Sequence, residues 1–86
     1  MNIDDKLDLI FYSTVSQIRE RLENLDYNMK LEEVYKQLCR KYNFNSSILF
    51  FNNSRKLYQN KTLKENNLEN NDFVIIIEYN EFDLII

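Results

Sequence analysis

The residues that could do chemistry are few and poorly placed for it. The chain contains no histidine, so proton transfer near pH 7 would need a carboxylate or lysine whose pKa burial has moved far from its usual value. The single cysteine, Cys39, would be a thiol nucleophile with no imidazole to activate it. Thr14 and the Ser46-Ser47 pair have no evident base beside them. No His/Cys cluster offers metal ligands. With glycine absent, neither a phosphate-cradling loop nor the sharp turn of a calcium loop can be written into the chain. The expectation is therefore a non-enzyme with no catalytic residues, no cofactor and no metal.

Composition narrows the class further. A length of 86 residues allows one domain, expected to span 1–86 with a core over about 6–79. Hydrophobic residues make up 44% and aromatics 14%, enough for a packed core. The net charge is −3 with the two signs interspersed, and no basic stripe of the kind that follows a phosphate backbone stands out, which argues against nucleic-acid binding. One cysteine cannot form an internal disulfide, the N-terminus lacks an apolar signal core, and the longest apolar run, 73–77, is too short for a membrane span. An intracellular setting, cytoplasmic or nuclear, is expected.

Residues 7–12 read as a strand. Val15, Ile18, Leu22 and Leu25 follow helical spacing, although Ile18 and Leu22 also fit one face of a strand. The clearest helix is 28–42, where Leu31, Val34, Tyr35, Leu38, Cys39 and Tyr42 form one stripe that makes Cys39 a small buried hydrophobe. Asn28 stands at its N-cap. Residues 48–51 and 56–58 read as short strands, 62–67 as a single turn, and 72–79 as a β-branched last strand. With neither glycine nor proline available, Asn43, Asn52, Asn53, Asn60, Asn66, Asn67, Asn70 and Asn71 mark the turns. The order is ββαββ, an α+β domain with one main amphipathic helix across one sheet face.

Within this order, Leu49-Phe50-Phe51-Asn52-Asn53-Ser54-Arg55-Lys56-Leu57 resembles the third strand and turn of ubiquitin. Residues 61–72, with the pair Thr62-Leu63 and the anchor Leu68, resemble the loop before that family's last strand. Cys39 within the helix, Asn45-Ser46, Asn60, Thr62, Lys64, Glu65 and Asp72 are similar to the SUMO-type branch. The resemblance implies a ubiquitin-like β-grasp with a mixed sheet, and it favours a strand over 18–22. It places the family's turn glycine at Asn53. Conjugated members end in two glycines that thread a narrow activating channel, and this chain has none. The sequence as written is therefore expected to be a non-conjugated protein-protein interaction module, adaptor or small subunit. The alternatives are a covalent modifier seen without its processed diglycine tail, and a β-grasp accessory protein of a secretion or enzyme system.

The resemblance also implies a binding face. Val74 and Ile76 match core positions, so Ile75 and Ile77 should face away from the helix. Phe50 matches the family's central patch residue and is expected beside them, forming a protein-binding patch of Phe50, Ile75 and Ile77. After Asn80, the segment Glu81-Phe82-Asp83-Leu84-Ile85-Ile86 is acidic and aliphatic. Phe82, Asp83, Leu84, Ile85 and Ile86 could extend the sheet, act as a peptide-like strand on this or a neighbouring domain, or fold back over the patch. A second candidate surface is a basic groove between strand two and the helix, near Arg19, Arg21, Lys36 and Arg40.

Overall fold

The computed structural model describes residues 5–44 and 47–79. Its elements run β1 (Lys6–Ser13), β2 (Ile18–Asp26), α1 (Leu31–Cys39), β3 (Ser47–Asn52), β4 (Arg55–Lys56) and β5 (Asp72–Tyr79). The sheet order is β2-β1-β5-β3-β4. The central pair β1 and β5 is parallel, and the other pairings are antiparallel. Alternate residues of the three long central strands point toward α1, and Leu9, Phe11, Phe50, Val74 and Ile76 join Leu31, Val34 and Leu38 of the helix in one core. The mixed sheet of the sequence reading is present, with one helix among the described residues. Among the described residues, no helix is long and apolar enough to cross a membrane.

Strand β2 explains its own misleading periodicity. Leu9 pairs with Leu22 and Leu7 with Leu25, so Asp8 alone faces both Glu23 and Asn24. This bulge shifts the inward parity by one residue. Ile18 and Leu22 obey strand alternation, and the bulge brings Leu25 inward three residues later. The resulting 4-then-3 spacing imitates a helix. Asn24 takes positive φ at the bulge, and its N–H donates to Asp8 Oδ1 at 3.0 Å.

The helix is shorter than its apolar stripe suggests. Asn28 does not cap it; Lys30 occupies the N-cap position and supplies no side-chain bond. The first amides find carbonyls far along the chain instead, Leu31 N–H donating to Lys61 O and Glu32 N–H to Gln59 O, each at 3.0 Å. These bonds satisfy orphan donors that a local cap would otherwise take. Cys39 is exposed, contrary to the stripe reading. At 100° per residue it lies a quarter-turn beyond Leu38, on the flank of the buried arc.

The loop between β4 and β5 is fixed from within. Thr62 and Glu65 cap each other reciprocally, Glu65 N–H to Thr62 Oγ1 at 3.0 Å and Thr62 N–H to Glu65 Oε1 at 2.9 Å. Asn66 is buried, and its amide group donates to the Tyr58 and Thr62 carbonyls while its Oδ1 accepts from Tyr58 N–H. Leu57, Leu63 and Leu68 anchor this loop in the core. Of the asparagines read as turn markers, Asn53, Asn67 and Asn71 take positive φ, whereas Asn52 is a buried end of β3 whose amide donates to Phe73 O at 2.8 Å; positive φ also falls on Gln17, Asn24 and Ser54.

Candidate functional site

The sheet face opposite α1 carries the odd-numbered residues of β3 and β5 and the even-numbered residues of β1. The strand register sets them in transverse rows. Arg19, Tyr12, Ile75, Phe51 and Lys56 are successive Cα partners across all five strands. Arg21, Ile10 and Phe73 form a second row, and Leu49 with Ile77 a third. Phe73 is 51% exposed, Ile77 43% and Tyr12 38%, while Ile10, Leu49, Phe51 and Ile75 are half-buried. Seven apolar side chains on three adjacent strands thus form one contiguous field. In the first row a cation stands at each end. Lys56 Nζ lies 5.8 Å from the Tyr58 ring centroid, and neither Arg19 nor Lys56 has an ion-pair partner among the described residues.

Ile75 and Ile77 lie on this face. Phe50 does not: it is only 1% exposed, its ring edge-on to Phe11 at 6.1 Å and to Tyr35 at 5.9 Å, and it pairs with the core residue Ile76. Phe51 takes the outward position. The cause is the register of β3 on β5, in which Phe51 pairs with the outward Ile75 and Phe50 with the core residue Ile76. A shift of one residue exchanges the two faces of a strand. Ile10, Tyr12, Leu49, Phe51 and Phe73 were not singled out by sequence reasoning. Their signal is the alternation along each strand, which becomes a patch only once the register between strands is known. Phe82, Asp83, Leu84, Ile85 and Ile86 lie outside the described residues.

The expected basic groove is also different. Arg19 and Arg21 project from β2 onto the open face, away from α1. Arg21 is engaged there, donating to Asp8 Oδ2 and Asn71 Oδ1, each at 2.7 Å. On the helix side, β2 presents Glu20, held by Lys41 Nζ at 2.9 Å and the Tyr42 hydroxyl at 2.7 Å. An acidic peptide would meet a carboxylate in that groove.

The ionisable groups are tuned for structure. The Lys41 and Tyr42 hydrogen bonds hold the Glu20 carboxyl below its usual range. The Asn24 amide does the same for Asp8 against a smaller opposing effect of burial, with help from Arg21. The Thr62 amide and hydroxyl lower Glu65. Lys41 and Tyr42 are raised, each chiefly by its bond to Glu20. The Tyr35 phenol is pushed up to about 12 by the Cys39 thiol beside it and by burial. Every one of these shifts moves a group away from neutrality, the opposite of what a general acid or base needs. Ser13 and Ser16 both donate to Glu78 Oε2, which ties the β1–β2 turn to the end of β5. Among the described residues, no group of three His, Cys, Asp or Glu side chains could hold a metal ion.

No protein-family model matches this chain, and no curated protein sequence matches it significantly. Solved structures do match. One, reported for molecular mimicry of SUMO that promotes DNA repair, aligns at a TM-score of 0.73 over 85% of this chain and 91% of its own, with 21% identity. The UBL domain of yeast Ddi1 aligns at 0.69 over 86% of this chain and 90% of its own, with 17% identity. A designed protein based on ubiquitin aligns at 0.72 over 86% and 89%, with 16% identity. Strand order, the helix packed across the sheet and these likenesses agree that the chain has the ubiquitin-like β-grasp fold.

Proposed function

We propose that this chain is a single ubiquitin-like domain that binds another protein without catalysis, as an adaptor or small subunit of a larger assembly. The observation that carries the reading is the contiguous apolar field of the open sheet face. Apolar patches of this kind on small soluble domains mark interaction sites. Ile75 and Ile77 stay in the proposed site, and Phe51 takes the place of Phe50. Leu49, Phe73, Ile10 and Tyr12 complete it. The flanking cations Arg19 and Lys56 select a partner surface with an apolar centre and carboxylates at its rim. The shifts of the ionisable groups away from neutrality support a binding role over a catalytic one.

The test is a tagged purification from the native source, run under native and denaturing conditions with the wild type, Ile75→Glu and a helix-surface control, Glu33→Gln. The expected result is a defined partner that co-purifies only under native conditions, is retained by the control and is lost with Ile75→Glu while the circular dichroism spectrum is unchanged. A partner that Ile75→Glu retains would overturn the site. Adducts that survive denaturation through an isopeptide bond would overturn the non-covalent mode.

A further inference from the structure

We propose that the loop after β4 carries a docking site for an acidic peptide segment, built on Arg55, Lys56, Tyr58 and Lys61. The inference rests on the reading of this chain as a protein-binding domain, and it adds a second contact off the apolar field together with the chemistry that contact takes. The chain is acidic as a whole, with 14 acidic against 11 basic residues, yet residues 53–64 hold four cations and no carboxylate. The fold gathers three of the four around one aromatic ring. Lys56 Nζ lies 5.8 Å and Lys61 Nζ 5.1 Å from the ring centroid of Tyr58, and Tyr58 is 51% exposed. Arg55 lines the same shallow hollow, of about 220 Å³, and one of its guanidinium nitrogens is held on Asn66 O at 2.9 Å. Among the described residues, no ion pair engages Arg55, Lys56 or Lys61. The one carboxylate in the lining, Glu65, is taken up by the Thr62 N–H, which donates to its Oε1 at 2.9 Å.

Cations gathered without counter-ions raise the local potential and attract an anion. The Tyr58 ring holds both ammonium groups by cation–π attraction and offers its apolar body to the stems of acidic side chains. In an extended peptide, alternate side chains point the same way about 6.6–6.8 Å apart, so one segment can offer carboxylates to several of these cations at once. A nucleic acid would need a longer stripe of cations, enough to neutralise many phosphates, and the net charge of −3 opposes it. The site meets the apolar field at Lys56, which ends the first row of the open face. A partner seated on that field reaches the site through an acidic segment that crosses β4.

The experiment titrates the full chain with a blocked hexaglutamate peptide at low salt and follows amide NMR shifts. The expected result is saturable shifts concentrated at Arg55, Lys56, Tyr58 and Lys61. Affinity should fall severalfold in Lys61→Gln and about tenfold when Lys56→Gln is added to it. It should be unchanged in Lys36→Gln, which removes the same charge from the exposed surface of α1. An equal loss in Lys36→Gln, or shifts spread over every lysine, would overturn the site as diffuse attraction. Inorganic phosphate that binds as tightly as hexaglutamate would overturn the peptide as ligand, and so would a short DNA duplex that binds more tightly. The two readings fail separately, because Ile75→Gln should leave hexaglutamate binding unchanged. A partner lost with Ile75→Glu while hexaglutamate does not bind leaves the apolar docking face standing without this site. Hexaglutamate bound as expected, with a partner that ignores Ile75→Glu, leaves the acidic-segment site standing without the apolar face.

Discussion

The two adjacent phenylalanines of β3 give the sharpest test of the register. Phe50 is 1% exposed and wedged between Phe11 and Tyr35; Phe51 is half-buried on the opposite face. Truncating a buried phenylalanine to alanine costs about 3–5 kcal/mol, because the transfer term and the residual cavity add. A domain of this length has roughly 4–13 kcal/mol of total stability at 0.05–0.15 kcal/mol per residue. Phe50→Ala should therefore lower Tm by about 15–30 °C, taking 4–8 °C per kcal/mol for a small domain and allowing for the uncertainty of the cavity term. Phe51→Ala removes a side chain already partly in water and should cost about 1 kcal/mol or less. It should leave the fold intact and abolish partner binding. Thermal and urea unfolding followed by circular dichroism would measure both variants, with a constant urea slope showing that the unfolded state is comparable. Equal losses for the two variants, or a larger loss for Phe51→Ala, would refute the assigned register of β3 against β5 and with it the composition of the open face.

Other perturbations read the remaining parts of the structure. Glu20→Gln should destabilise the protein at neutral pH and not at low pH. The folded-state pKa of Glu20 is depressed, so its contribution is present above the unfolded pKa and is lost as pH falls through the folded one, making the wild-type and variant unfolding curves converge below about pH 4. A constant gap down to pH 2.5 would show that the contact works through packing and not charge. Asn66→Ala leaves Tyr58 N–H and two carbonyls without the amide that serves them, and should cost about 2–3 kcal/mol in urea unfolding, far more than an exposed Asn70→Ala. Ser54→Gly converts the β3–β4 turn, whose two central residues both have positive φ, into an Asn-Gly turn; it should stabilise by about 1 kcal/mol and raise Tm.

What the sequence made legible was the information written locally. The run Asp72–Tyr79 is so rich in β-branched residues that its bounds agree with the structure, and the helix stripe located the core face of α1 through Leu31, Val34 and Leu38. Of the eight asparagines read as turn markers, Asn53, Asn67 and Asn71 take left-handed positions that no glycine was available to fill. What was hidden depends on pairing between distant segments. The start of α1 is set by carbonyls at Gln59 and Lys61, so Asn28 looked like a cap with nothing local to contradict it. The helical spacing in β2 exists because Asp8 on another strand accommodates two residues at once. Phe50 and Phe51 are chemically identical, so only the register of β3 against β5 decides which enters the core. The candidate site is the extreme case of this dependence. Ile10, Tyr12, Phe51, Phe73 and Ile75 come from three strands separated by the helix and a long loop, and no window of sequence contains them together. Their contiguity is a property of register, and one-residue register is what separates a core phenylalanine from a docking one. A test of function by mutation therefore has to begin with the Phe50–Phe51 pair: substituting the wrong one would abolish binding by unfolding the domain, and the loss would look like evidence for a site that is not there.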